Sequence, residues 1–306
     1  MKKTLMAFVL LLFVTTGCRA DSTDTIAPES SRTDTIPGVP AGLHIPEPDP
    51  ESARLFAEVM EYARENNLHE RPIGEIMQEI GLQFRGKPYV AGMLDEPAEE
   101  TLICRLDGFD CVTFVETALA MAYGILEEDY SYDTFAKNVM RLRYRGGVMD
   151  GYCSRLHYFT DWIHDNEKRG HVEDVTEMIG GIPFDRTINF MTKNRASYPR
   201  LVSNDSLFEC IQQAERRLGE VDLYYIPQDR IRSAYDKLQA GDIIATTARM
   251  EGLDVTHTGL VYDTGRGKGL LHASTSGGVK VSPDLQEYVE GNRGVIGIFV
   301  ARPLQD

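Results

Sequence analysis

Cys111 is the residue whose placement most invites chemistry. It lies in DGFDCVTFVE (residues 107–116), directly before a run, 112–126, that is apolar at helical spacing. Asp110 suits the N-cap, so Cys111 falls in the first helical turn, where free amides and the helix dipole favour negative charge. An unperturbed thiol has a pKa of about 8.5, so only a few per cent is thiolate at neutral pH. The helix start and a neighbouring imidazolium would both raise that fraction. Asp110 would oppose them, unless its capping side chain turns away toward the helix amides.

Two histidines can act as partners. His257 opens HTGLVY (257–262) and His272 sits in GLLHAS (269–274), two short apolar runs joined by the glycine-rich YDTGRGKG. On adjacent antiparallel strands the imidazoles would lie side by side on one face. A thiol, a histidine and a group that orients the histidine form a nucleophilic triad for acyl transfer. Cys111 would attack, His257 would carry the proton to the leaving amine, and His272 would hold the tautomer and tilt of His257. The oxyanion needs donors: the Cys111 amide is one, and Tyr89 in the loop GKPYVAG (86–92) is a candidate second. Each residue alone has a plainer reading, as a core cysteine or a hydrogen-bonded structural histidine. A metal site at Cys104, Cys111, Cys153 and His157 is a further alternative. Their spacing lacks Cys-x-x-Cys or His-x-x-x-His, so neither metal nor cofactor is expected.

The elements that must position these groups can be placed coarsely. Residues 52–66 and 73–84 read as amphipathic helices, 101–106 as a short strand, and 132–144 and 155–168 as further helices. RYRGGVMDGYCS between the last two is loop. The C-terminal third changes character: 241–247, 257–262, 269–274, GGVKVS and 295–301 read as short strands joined by glycine-rich turns, hence an antiparallel sheet. Helices first and sheet later make an α+β protein.

The ends and the bulk composition bound the rest. Lys2-Lys3, an apolar run 5–14 and TTGC (15–18) form a secretory signal too short to span a bilayer. Cys18 after Gly17 suits bacterial lipidation, with simple cleavage and release as the alternative. A periplasmic or cell-envelope lipoprotein, attached to the membrane through its anchor alone, is expected. No other segment is long and apolar enough to cross. Residues 19–50 are a Ser/Thr/Asp/Pro-rich disordered tether, and the globular domain spans 51–306. A formal net charge of −15 over 306 residues argues against a nucleic-acid partner. The cysteines other than Cys18 are few and scattered, so this is no disulfide scaffold, although one disulfide is possible.

GKPYVAG, DGFDCVTFVE, HTGLVY and GLLHAS, in that order, resemble the signature blocks of NlpC-type cysteine hydrolases of bacterial cell walls, which have a papain-like fold. The resemblance implies Cys111 as nucleophile, His257 as base, His272 as orienting group and Tyr89 as the family tyrosine near the cysteine. DCVTFVE and SRLHYFTDWI (154–163) are similar to one subfamily, the AmiA-like N-acetylmuramoyl-L-alanine amidases, and with it the resemblance covers most of 51–306. It implies cleavage between N-acetylmuramic acid, including its anhydro form, and L-alanine of the stem peptide, with peptidoglycan fragments as partners. The alternatives are an NlpC-type endopeptidase cutting D-glutamyl–diamino acid bonds and a non-catalytic lipoprotein that binds wall fragments. A large helical insertion, about 127–240, distinguishes the chain from the minimal domain and would shape the cleft. RYRGG (143–147) and SRLH (154–157), with Arg155 and His157, would recognise carboxylate or sugar there, or serve only surface ion pairs and caps. NFMTKNRASYP (189–199) would line a sugar site or pack in the core, and Trp162 would be core.

Overall fold

A computed structural model describes residues 45–305 other than Arg266; the signal segment, Cys18 and nearly all of the tether lie outside them. The helices α1 (Pro50–Glu65), α2 (Ile73–Gln83), α3 (Cys111–Leu126), α4 (Tyr132–Arg143) and α5 (Phe159–Lys168) come first. There follow strands β1 (Val172–Asp174) and β2 (Ile182–Pro183), helices α6 (Phe190–Lys193), α7 (Pro199–Ser203) and α8 (Asp205–Leu218), and strand β3 (Tyr224–Pro227). The chain closes with β4 (Ile243–Ala248), β5 (Val255–Asp263), β6 (Lys268–Ser274), β7 (Gly278–Ser282), α9 (Leu285–Glu290) and β8 (Val295–Pro303). None of the described helices is long and apolar enough to cross a membrane.

All strand pairings are antiparallel, in the order β2-β3-β8-β4-β5-β6-β7, with β1 also on β8. This is the α+β class expected. The sheet is buried on both faces. Ile243, Ala245, Leu260, Leu271, Phe299 and Ala301 join a core built largely from the N-terminal helices. Their neighbours Ile244, Val261, Leu270, Ile298 and Val300 join a second core beneath α9. Period-2 alternation therefore places side chains in one core or the other, and the strands read as continuously apolar. Helix α3 is central: twelve of its sixteen residues are buried, because it is apolar on every side.

The insertion departs from expectation. It contains helices, but β1, β2 and β3 also run through it and extend the sheet beyond β8. With three, two and four residues these strands are too short to show a period. Residues 101–106 form no strand. Side chains replace a ladder there: Ser52 Oγ accepts from Leu106 N (3.0 Å), Tyr132 Oη donates to Cys104 O (3.2 Å) and Arg143 Nη1 donates to Ile103 O (2.6 Å). The fifth helix begins at Phe159, not at 155, since Leu156 N pairs with Arg143 O (3.0 Å) and Arg155 is extended. A disulfide joins Cys153 to Cys210, 57 residues apart, and fastens α8 to the loop after α4. Closing a loop of that length contributes roughly 4 kcal/mol in the chain-entropy account. Cys104 stays free and buried.

Candidate active site

Asp110 and Thr113 close a capping box around the helix start. Asp110 Oδ1 accepts from Thr113 N (2.8 Å), and Thr113 Oγ1 accepts from Asp110 N (3.0 Å). Cys111 is therefore the first helical residue, as the sequence requires. The preceding chain is pinned from both sides: Val90 N donates to Phe109 O (2.9 Å) and Phe109 N to Pro88 O (3.0 Å). Gly278, at φ +68°, lets β7 pass this loop; a Cβ there would lie 2.0 Å from Lys87 O. This packing brings the Tyr89 hydroxyl close enough to Cys111 for the two groups to act on each other electrostatically.

The histidines come from β5 and β6. His257 Nε2 lies 2.7 Å from His272 Nδ1, with the rings edge to face at 4.9 Å between centroids. Gly259 explains the spacing in HTG. It shares a face with His257, and a Cβ on it would approach His272 Cβ to 2.9 Å. Its bare backbone is the space His272 occupies. Thr258, pointing to the opposite face, donates from Oγ1 to Cys111 O (2.7 Å), and so ties the start of β5 to the start of α3. Tyr288 on α9 joins the halves: its ring lies 6.0 Å from His257 and 4.8 Å from His272, and burial together with the nearby Cys111 pushes its hydroxyl up to about 12.

The electrostatics reverse one expectation. Burial raises the Cys111 thiol above its ordinary value and Asp110 adds to this, outweighing the donors of Thr258. The Asp110 side chain does turn to the helix amides, yet its charge still reaches the sulfur. Burial lowers His257 to about 4. His272 falls to about 3 through burial, His257 and Lys280 in that order. At neutral pH the Cys111 thiol and the His257 imidazole are therefore both uncharged. Tyr89 is raised to about 12, chiefly by burial, and keeps its proton as a donor.

His257 and His272 thus meet each other, Tyr288 packs on both rings within electrostatic reach of Cys111, and Tyr89 lies within the same reach of Cys111. Arg155 and His157 do not join them. Arg155 is buried; Nη1 donates to Leu94 O (2.8 Å), Nη2 to Asp95, and Nε faces Glu100 at 3.5 Å. His157 Nε2 bonds Tyr152 O (2.8 Å), the ring packs on Tyr152, and burial lowers its pKa to about 3. Both side chains are bonded within their own chain, to residues of the insertion and of the segment around Leu94 to Glu100. Trp162 is core, as expected. Sequence reasoning missed Thr258 and Tyr288. Thr258 lies in a run already recognised as a strand, and Tyr288 carries no motif.

Beneath the site Arg143 Nε donates to Glu116 Oε2 (2.8 Å), both residues fully buried. The pair links α3 to α4 and, through Ile103 O, to the segment that leads to Cys111. Glu116→Ala should lower unfolding stability by about 3–5 kcal/mol, because Arg143 keeps its buried charge without a carboxylate to balance it. Denaturant titration checks this, with Glu116→Leu plus Arg143→Met expected to regain most of the loss. A single-variant change below about 1 kcal/mol would contradict the account.

The family model described as AmiA-like, N-acetylmuramoyl-L-alanine amidase-like, matches residues 79–296. Among solved structures the chain is similar to an N-acetylmuramoyl-L-alanine amidase from Bacteroides uniformis, at 32% identity and a TM-score of 0.72, over 76% of this chain and 99% of that one. It is similar to a Bacteroides fragilis protein described as a candidate xylanase, at 35% identity and 0.68, over 72% and 98%. A Legionella pneumophila protein of the family DUF1460 shares the fold at 21% identity and 0.63, over 83% and 97%. No curated protein sequence matches.

Proposed function

Because the chain belongs to the AmiA-like family of N-acetylmuramoyl-L-alanine amidase-like proteins, we propose that it is a cysteine amidase of peptidoglycan fragments. It cleaves the amide between the lactyl group of N-acetylmuramic acid, the anhydro form included, and L-alanine of the stem peptide. Its fold is the papain-like NlpC type. Through Cys18 it is a lipoprotein of the cell envelope. The observation that carries the catalytic reading is the 2.7 Å contact between His257 Nε2 and His272 Nδ1 beside the Cys111-led helix.

The chemistry follows from the neutral resting pair. His257 bonds His272 through Nε2, so Nδ1 is the nitrogen that takes the thiol proton as the sulfur attacks the lactyl carbonyl. Coupling proton transfer to attack avoids a buried thiolate beside Asp110. The oxyanion accepts from the Cys111 amide and from Tyr89, which exchanges sulfur for the developing charge. As the C–N bond breaks, His257 returns the proton to the alanine nitrogen and leaves a thioester on Cys111. Water, deprotonated by His257, then releases the muramic carboxylate and the thiol. A glycosidase would instead need two carboxylates flanking the bond; Asp110, the carboxylate beside Cys111, is held in the helix cap.

The scissile bond joins sugar to peptide, so both must bind. Incubation with intact sacculi, purified muropeptides and free stem peptide tests this. Muropeptides should be cut fastest, and free stem peptide left whole. Rapid cutting of the free peptide with sugar-linked alanine retained would favour the endopeptidase. No turnover of any substrate would favour a wall-fragment-binding protein.

A further inference from the structure

The contact between the histidines does not settle its own direction. An imidazole can donate or accept at each nitrogen, according to tautomer. If His257 Nδ1 is to accept the thiol proton, its hydrogen must sit on Nε2. That Nε2–H then donates to His272 Nδ1, which must be bare, and so His272 carries its hydrogen on Nε2. His272 Nε2 in turn lies 3.0 Å from Ser282 Oγ. Ser282 ends β7, where it pairs with Leu270, while His272 pairs with Lys280. It is therefore the diagonal cross-strand neighbour of His272 on the same face.

We propose that Ser282 is a positioning residue whose hydroxyl oxygen accepts from His272 Nε2 and thereby fixes the tautomers of both histidines. The inference rests on the amidase reading for its kinetic consequence, not for its tautomer. Without an acceptor at this position, His272 can carry its hydrogen on Nδ1 and donate to His257 Nε2. His257 would then hold its hydrogen on Nδ1 and could not receive one from Cys111. The transition state requires the same direction more strongly. Once His257 is imidazolium it must donate from Nε2, and each bond down the chain spreads its charge. Ser282 thus acts on the chemical step more than on substrate binding. Burial and the Lys280 charge keep His272 neutral and able to accept at Nδ1. Lys280 Nζ itself donates to Ser276 O at 2.9 Å.

Ser282→Ala and Ser282→Thr, each compared with the full chain, test this in two ways. Kinetics on purified muropeptide should show kcat for Ser282→Ala down about tenfold, the effect of one lost hydrogen bond of about 1.4 kcal/mol, with KM changed less than about twofold. Ser282→Thr should recover most of kcat. The ring 15N shifts of His272, measured without substrate, should report hydrogen on Nε2 in wild type and a substantial Nδ1-protonated fraction in Ser282→Ala. Unchanged tautomers would overturn the proposal whatever kcat does. Unchanged kcat alongside a shifted tautomer would also overturn it, since the tautomer would then not govern the chemical step. Because the shifts need no turnover, a wild-type protein inactive on every muropeptide would count against the amidase reading alone.

Discussion

Cys111→Ala and Cys111→Ser are each expected to reduce muropeptide hydrolysis by about 10³-fold or more while leaving the protein folded. The sulfur forms the covalent bond in the proposed reaction, and a serine hydroxyl at the same place meets the same buried surroundings with a far higher pKa. The fold does not depend on the thiol. The capping box uses Asp110 and Thr113, the tie from Thr258 goes to the Cys111 carbonyl, and the helix is held by its buried apolar surface. Initial rates checked beside thermal unfolding separate the two effects. The melting temperature should stay within a few degrees. Residual activity above a tenth of wild type, in a folded variant, would remove Cys111 from the role of nucleophile.

His257→Ala should be nearly as severe, by about 10²–10⁴-fold, because both proton transfers pass through one imidazole. His272→Ala should be milder, since it orients the base and shares its charge without touching the thiol. An equal or greater loss at His272 would mean that the two roles are exchanged. The pH profile carries a sign that follows from burial. A buried imidazolium lacks water, so the neutral form persists down to about 4 for His257. Only neutral His257 can take the thiol proton. The acid limb of kcat/KM should therefore fall near pH 4, well below the ordinary imidazole value of about 6.5. A limb between pH 6 and 7 would place the essential imidazole in a wetter site than the one described.

Much of the site is legible from residue order because its logic is local. A cap followed by an apolar helix fixes Cys111. Two apolar runs around a glycine-rich turn put His257 and His272 on neighbouring strands, and Gly259 gives way to the second ring. What could not be read depends on distant contacts. Cys153 and Cys210 are 57 residues apart and meet only once α8 is placed. Arg155 and His157 look like ligand-binding groups in a sequence, yet backbone carbonyls and acidic side chains of their own chain occupy them. Strands β1 and β3 of the insertion exist because β8 offers an edge and β2 adds to β3, not because four residues or fewer favour extension. The state of the thiol departs from the sequence-based expectation for a related reason. Burial and the neighbouring Asp110 together outweigh the hydrogen bonds that favour the thiolate.

The central claim is the identity of the bond that is cut, and mass spectrometry of the purified muropeptide digest addresses it most directly. The account predicts two products: the intact sugar with a free lactyl carboxylate, and the complete stem peptide with an N-terminal L-alanine. A product in which L-alanine and D-glutamate remain attached to muramic acid, with the diamino acid released as a new amino terminus, would contradict it.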